Sequence, residues 1–169
     1  MPAKISTCVL VTAALVAFSA SADINVRFIE GAPKDRFEIV NQSSCAVLAT
    51  EVVIDLGSSA AGLVFDVTGN GAGVEVFQPL EFESGADALV LRPAVNDGDR
   101  QVILSIRRLS PAARISFTID VDDTVGPRGI TVSGSEIEGA TVRVEAGQRK
   151  AIARFSREGR AVVAMPACM

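Results

Sequence analysis

The sequence predicts an all-β fold, a two-sheet antiparallel β-sandwich of short strands, jelly-roll or immunoglobulin-like. Three observations predict it. Ile115, Phe117, Ile119 and Val121 alternate with Arg114, Ser116, Thr118, Asp120 and Asp122, a period of two that puts apolar side chains on one face of a strand and polar ones on the other. Clusters of Gly, Pro, Asn, Asp and Ser return about every 8–12 residues, the turn spacing of a sandwich or barrel. Beyond the N-terminal segment no stretch shows a sustained helical period.

Taken in order, Ile24, Val26 and Phe28 alternate in a first strand that stops at Gly31-Ala32-Pro33-Lys34-Asp35, a cluster of turn residues. Phe37 and Ile39 belong to the next, which ends at Asn41-Gln42-Ser43-Ser44. Val52, Ile54 and Leu56 mark a third, and Leu63, Phe65 and Val67 continue the pattern to Gly69. Val74 and Val76 form a short strand closed by Pro79, Phe82 lies in an extended piece, and Ala88 to Leu91 reads as another strand ended by Pro93. Asn96-Asp97-Gly98-Asp99 is a strong turn before Val102, Leu104 and Ile106. After the strand at 114–122, the runs Ala140-Val142-Val144, Ala151-Ala153-Phe155 and Ala161 to Met165 complete the set. No strand buries its apolar face alone, so the strands must face one another in layers.

The chain has 169 residues, 49% of them hydrophobic, enough for one domain with its own core and too few for two comfortable ones. It contains no histidine, which removes Ser-His-Asp and Cys-His catalysis and imidazole metal ligation. The formal charge of −4 argues against nucleic acid, whose phosphates need a basic face.

Residues 1–22 read as a signal peptide: Lys4 near the start, a mostly apolar run from Val9 to Phe18, then Ala20-Ser21-Ala22 as a small-residue cleavage site. The run is shorter than the roughly 20 residues a membrane span needs, so the mature chain, 23–169, is expected as a single exported domain, periplasmic or extracellular, with no span. Cleavage removes Cys8 and leaves Cys45 and Cys168, a pair expected to form a disulfide in an oxidising compartment.

Gly69-x-Gly71-x-Gly73 imitates a dinucleotide fingerprint, but Val74-Glu75-Val76-Phe77 and Pro79 follow where a helix N-terminus should stand, so a hairpin turn is the better reading. Asp123-Thr124-Val125-Gly126 resembles an aspartic-protease loop only loosely and lacks a second copy. Asn41-Gln42-Ser43 fits a glycosylation acceptor and equally a turn. The acidic residues say more. Asp120 and Asp122 share what reads as the solvent side of their strand, Asp123 begins the next loop, and Asp97 and Asp99 flank a glycine in another. Calcium takes six to eight oxygens, and sandwich loops supply them from Asp side chains and carbonyls. Asp97, Asp99, Asp120, Asp122 and Asp123 are therefore the candidate calcium ligands. Solvated carboxylates that discourage edge pairing are the plainer alternative.

Three runs carry a family resemblance: VRFIEGAPKDRFEIVN (Val26 to Asn41), IDLGSSAAGLVFDVTGNGAGVEVFQP (Ile54 to Pro79) and FTIDVDDTVGPRGITVSGSEIEGATV (Phe117 to Val142). They resemble small exported bacterial proteins described as similar to the sponge aggregation-factor core protein. The resemblance implies an extracellular, calcium-dependent adhesion role and supplies no catalytic residue. The expected function is thus a non-catalytic binding sandwich whose partner is a protein or cell-surface polymer. A periplasmic accessory or structural subunit without metal is the alternative, and a hydrolase a weaker one.

Overall fold

The computed structural model describes residues 22–69, 77–125 and 131–165. Residues 1–21, the strand at Val74 and Val76, and Cys168 therefore lie outside the described residues. Among these there are eleven strands: β1 (Ala22–Ile29), β2 (Asp35–Asn41), β3 (Val47–Asp55), β4 (Val64–Phe65), β5 (Glu81–Ser84), β6 (Gln101–Leu109), β7 (Arg114–Ile119), β8 (Val121–Asp122), β9 (Thr141–Ala146), β10 (Arg149–Arg154) and β11 (Arg160–Met165). They build a five-stranded sheet in the order β11-β1-β2-β7-β5, a four-stranded sheet β10-β9-β3-β6, and a small pair β4-β8. Every pairing is antiparallel, and the larger sheets pack face to face as the predicted sandwich.

Two segments depart from the alternation. Ala86–Ala88 is a short 3₁₀ turn rather than the start of a strand, and only Leu89 bridges to Ile106. Gly85 turns the chain there with φ 73°, where a Cβ would stand 2.2 Å from the Arg114 carbonyl oxygen, so no other residue fits. A single helical turn, α1 (Gly134–Ile137), follows Ser133. Its sequence signal is a capping box: the Glu136 carboxylate accepts from the Ser133 backbone N–H at 2.6 Å and from its hydroxyl at 2.7 Å.

The core is organised by register. Phe28 faces Phe37 across β1–β2, Phe37 faces Phe117 across β2–β7, and Phe117 faces Phe82 across β7–β5. Ring centroids are 5.3, 5.4 and 5.7 Å apart, the middle pair stacked, a ladder of directly opposed aromatic pairs. Phe65 and Phe155 come edge-on to Phe37 at 6.4 and 6.5 Å, so one ring joins β4, the chain after β10 and the five-stranded sheet.

Asn41 corrects one sequence reading. It is fully buried, its amide donates to the carbonyls of Cys45 at 2.8 Å and Leu109 at 3.0 Å, and its oxygen accepts from Ser43. This amide ties the end of β2 to the β6–β7 corner and is not presented to a glycosylating enzyme.

Phe37→Ala should cost about 3–5 kcal/mol as a large cavity in a packed core, lowering the midpoint of thermal unfolding by roughly 6–20 °C for a chain of this size. Phe82→Ala, at the half-buried end of the ladder, should lower it distinctly less. Equal effects would show that the rings do not share one hub.

Candidate functional site

Beyond the aromatic ladder, the β2–β7 register carries on to polar residues. Asp35 opens β2 opposite Ile119, Asp120 follows β7 at once, and Asp122 ends β8. The β4–β8 pair sets Val64 against Asp122, and the Asp66 N–H donates to the Asp120 carbonyl at 3.1 Å. Gln78 sits in the same ladder, donating to the Asp66 carbonyl and accepting from the Asp120 N–H. The 96–99 turn closes this end: Asp97 Oδ1 accepts from the N–H groups of Val67 and Thr68 at 3.0 and 3.2 Å.

The outcome is a group of mutually repelling carboxylates, Asp35, Asp66, Asp97, Asp120 and Asp122. Of the five residues singled out in the sequence, Asp97, Asp120 and Asp122 join it. Asp123 is buried beside it. Asp99 is used elsewhere, its carboxylate accepting from the Asn96 N–H at 2.7 Å to hold the turn. The expectation that Asp120 and Asp122 face solvent is overturned, for they are 6% and 4% exposed. β7 lies inside its sheet, and its outer face is roofed by the pairs Lys34–Glu81 and Arg36–Glu83. Arg36 and Glu81 stand on either side of Thr118, and Ser116 donates to Glu83, so Ser116 and Thr118 are buried as well. Past β7 the chain is covered by the segments carrying Asp66 and Gln78.

Asp35 and Asp66 are the residues the sequence reading missed. Asp35 reads as one more turn residue, and Asp66 as the outward partner of Phe65 and Val67. Nothing in the local pattern announces that both faces of β4 are covered.

Burial governs the chemistry here. It pushes the Asp35 carboxyl up to about 8; the charges of Asp120 and Asp122 add to the rise, while N–H groups of Gly31 and Val121 oppose it. Burial likewise raises Asp66 to about 7, helped by a hydrogen bond and repulsion from Asp97 and by the charges of Asp122 and Asp120. It raises Asp120 to about 7, with Asp122 adding and the Val121 N–H opposing. Among the described residues no Lys or Arg forms an ion pair with these three. Asp66 Oδ1 and Asp120 Oδ2 have no hydrogen-bond partner there either. A buried carboxylate must be protonated, paired or metal-bound.

The calcium that the resemblance implies meets a mixed fit. The donors are of the right kind, hard oxygens, two of them orphaned in the interior. They are too few, because among the described residues no group of three or more Asp, Glu or Cys side chains is arranged to hold a metal ion. An ion here would need backbone carbonyls and water to complete its shell.

Thr124 donates to the Gly62 carbonyl, while Gly126 lies outside the described residues. Cys45 stands half-buried between β2 and β3, 3.8 Å from the Ser43 hydroxyl. No helix among the described residues is long and apolar enough to cross a membrane. The sequence matches no model of a known protein family and no curated protein.

The raised carboxyls make stability depend on pH. Between about 4 and 7–8 the folded chain holds protons that the unfolded chain releases, so their contribution is complete below about 4 and lost as pH rises through 7 to 8. In chelator, the unfolding midpoint should fall as pH is raised from 4 to 8. Asp120→Asn should flatten part of that fall and exceed the parent in stability at pH 8. A parent midpoint that is level or rising across the interval would mean that these carboxylates are ionised in the fold.

Proposed function

We propose that this chain is an exported, non-catalytic β-sandwich that works by binding at the cell surface, in adhesion or aggregation, with calcium taken up at its aspartate end. The observation that carries the calcium claim is the burial of Asp66 and Asp120 with, among the described residues, one oxygen of each unpartnered and no Lys or Arg in an ion pair with either carboxyl. A divalent ion would remove the repulsion among Asp66, Asp97, Asp120 and Asp122 at one stroke. The adhesion claim rests on the sequence resemblance. The N-terminal segment supports export, and with it a bond between Cys45 and Cys168.

A second reading is a periplasmic accessory or structural subunit that binds a protein partner without metal. It is favoured by the lack, among the described residues, of a three-carboxylate ligand group. In that reading Asp35, Asp66 and Asp120 simply keep their protons.

Calcium decides between them. At pH 7.5, about 1 mM calcium against a site of ~0.1 mM affinity should raise the unfolding midpoint by roughly 3–6 °C, and Asp66→Asn with Asp120→Asn should remove the rise. An unchanged midpoint would leave only the metal-free reading. For export, the purified mature chain should begin near Asp23, and a thiol reagent should label neither cysteine until a reductant is added. Ready labelling without reductant would discard the disulfide.

A further inference from the structure

Four strands end the two large sheets, and three of them are closed off. β10 and β11 pack against each other on one side of the sandwich. β5 is only four residues long, and its Glu81 and Glu83 are held by Lys34 and Arg36; short, charged edges resist pairing. β6 is different. It has nine residues, and on its outer side, among the described residues, Leu89 bridges Ile106 and the Val90 N–H donates to the Ser105 carbonyl at 2.8 Å.

That single bond fixes which backbone groups face outward. In a strand, alternate residues direct N–H and C=O to opposite sides. With the Ser105 carbonyl turned away from β3, the N–H and C=O groups of Ile103 and Gln101 turn away as well. Among the described residues no strand pairs with them. The chain from Leu91 to Asp99 bows away at this point and leaves an open groove of ≈ 680 Å³.

The groove is apolar in the middle and basic at its rim. Ile103 is 45% exposed, and Val90 and Leu91 beside it are 54% and 66% exposed. Arg100 is exposed and lines this edge, Arg107 and Arg108 extend the basic side beyond the bridge, and Arg92, next to Leu91, turns its guanidinium over the Phe82 ring at 5.9 Å. None of these four forms an ion pair among the described residues, although the chain carries a net charge of −4. Of the carboxylates nearby, Asp99 is engaged with Asn96, Asp55, opposite Gln101, accepts from the Gln101 amide and the Gly57 N–H, Glu51 stands opposite Ser105, and Asp87 lies at the far end with Arg107 and Arg108.

We infer that the outer edge of β6 at Gln101–Ser105 takes a short extended segment of a partner protein, paired as an added strand, with one large apolar side chain against Ile103 and Leu91 and a flanking Asp or Glu facing Arg100. Main-chain bonds to an open edge give such binding its strength, and the alternate side chains give it selectivity. The charge pattern selects an acidic segment and disfavours a second copy of this chain, whose own free charge at this edge is positive. The inference rests on the reading of the chain as a binding module and not on its calcium.

The probe is a capped peptide alternating glutamate and valine, titrated into the isotopically labelled mature protein, with a lysine–valine peptide of equal length as control. Saturable amide shifts centred on residues 100–105 are expected for the acidic peptide, weakening at least several-fold as salt is raised, with none for the control. Arg100→Glu should weaken binding about tenfold or more. Ile103→Pro should abolish it, because proline removes an outward N–H and is tolerated at an edge; unchanged circular dichroism and unfolding midpoint would confirm that each variant folds. No saturation with the acidic peptide, equal binding of both peptides, or shifts centred elsewhere would overturn the inference. A protein that ignores calcium yet binds the peptide would remove the metal claim alone. One that is stabilised by calcium yet ignores the peptide would remove this claim alone.

Discussion

The stacked pair of Phe37 and Phe117, 5.4 Å apart, is the contact on which the other parts of the sandwich depend. Because the two residues are directly opposite in the β2–β7 ladder, their packing and the strand register are one constraint. A slip of one residue in this pairing would turn one of the two rings to the outer face and bring its strand's polar or charged side chains inward. The same ring holds Phe28, Phe65 and Phe155, so the position of the β4–β8 pair follows from it.

The aspartate end is a by-product of that register. Asp35 stands two residues before Phe37, and Asp120 three after Phe117, so fixing the rings fixes the carboxylates on neighbouring strands. Phe65, locked edge-on to Phe37, carries Asp66 into the same place. Hydrophobic packing thus holds together side chains whose charges repel. This explains why burial, more than any single neighbour, governs the state of Asp35, Asp66 and Asp120.

Much of the architecture was legible in the chain, and the reasons are local. The alternation at Ile115, Phe117 and Ile119 and at Val142 and Val144 belongs to strands whose inner faces are buried, and period two survives there because each strand has one face in the core. The solvent side was misread wherever a roof is built by residues remote in sequence. Ser116 and Thr118 lie under ion pairs from β2 and β5, and Asp120 lies under segments some 40 and more residues earlier in the chain. Three of the five candidate ligands came together because their neighbouring strands do. Asp66 was invisible because its burial depends on β8 and on the turn at Asp97. Short elements failed for another reason: the Ser133–Glu136 cap and the Gly85 turn act over three or four residues, below the window in which periodicity can be seen.

The unequal treatment of the four sheet borders sets a valence. A sandwich with two open borders can pass strand pairing from copy to copy and grow into a fibre; one with a single open border has a beginning and no continuation. With β5 shielded by ion pairs and β10 and β11 turned toward each other, the two large sheets offer a single open border among the described residues. An added strand there, as proposed, would close that border, so any clustering through it would take its multiplicity from the carrier of the added strand.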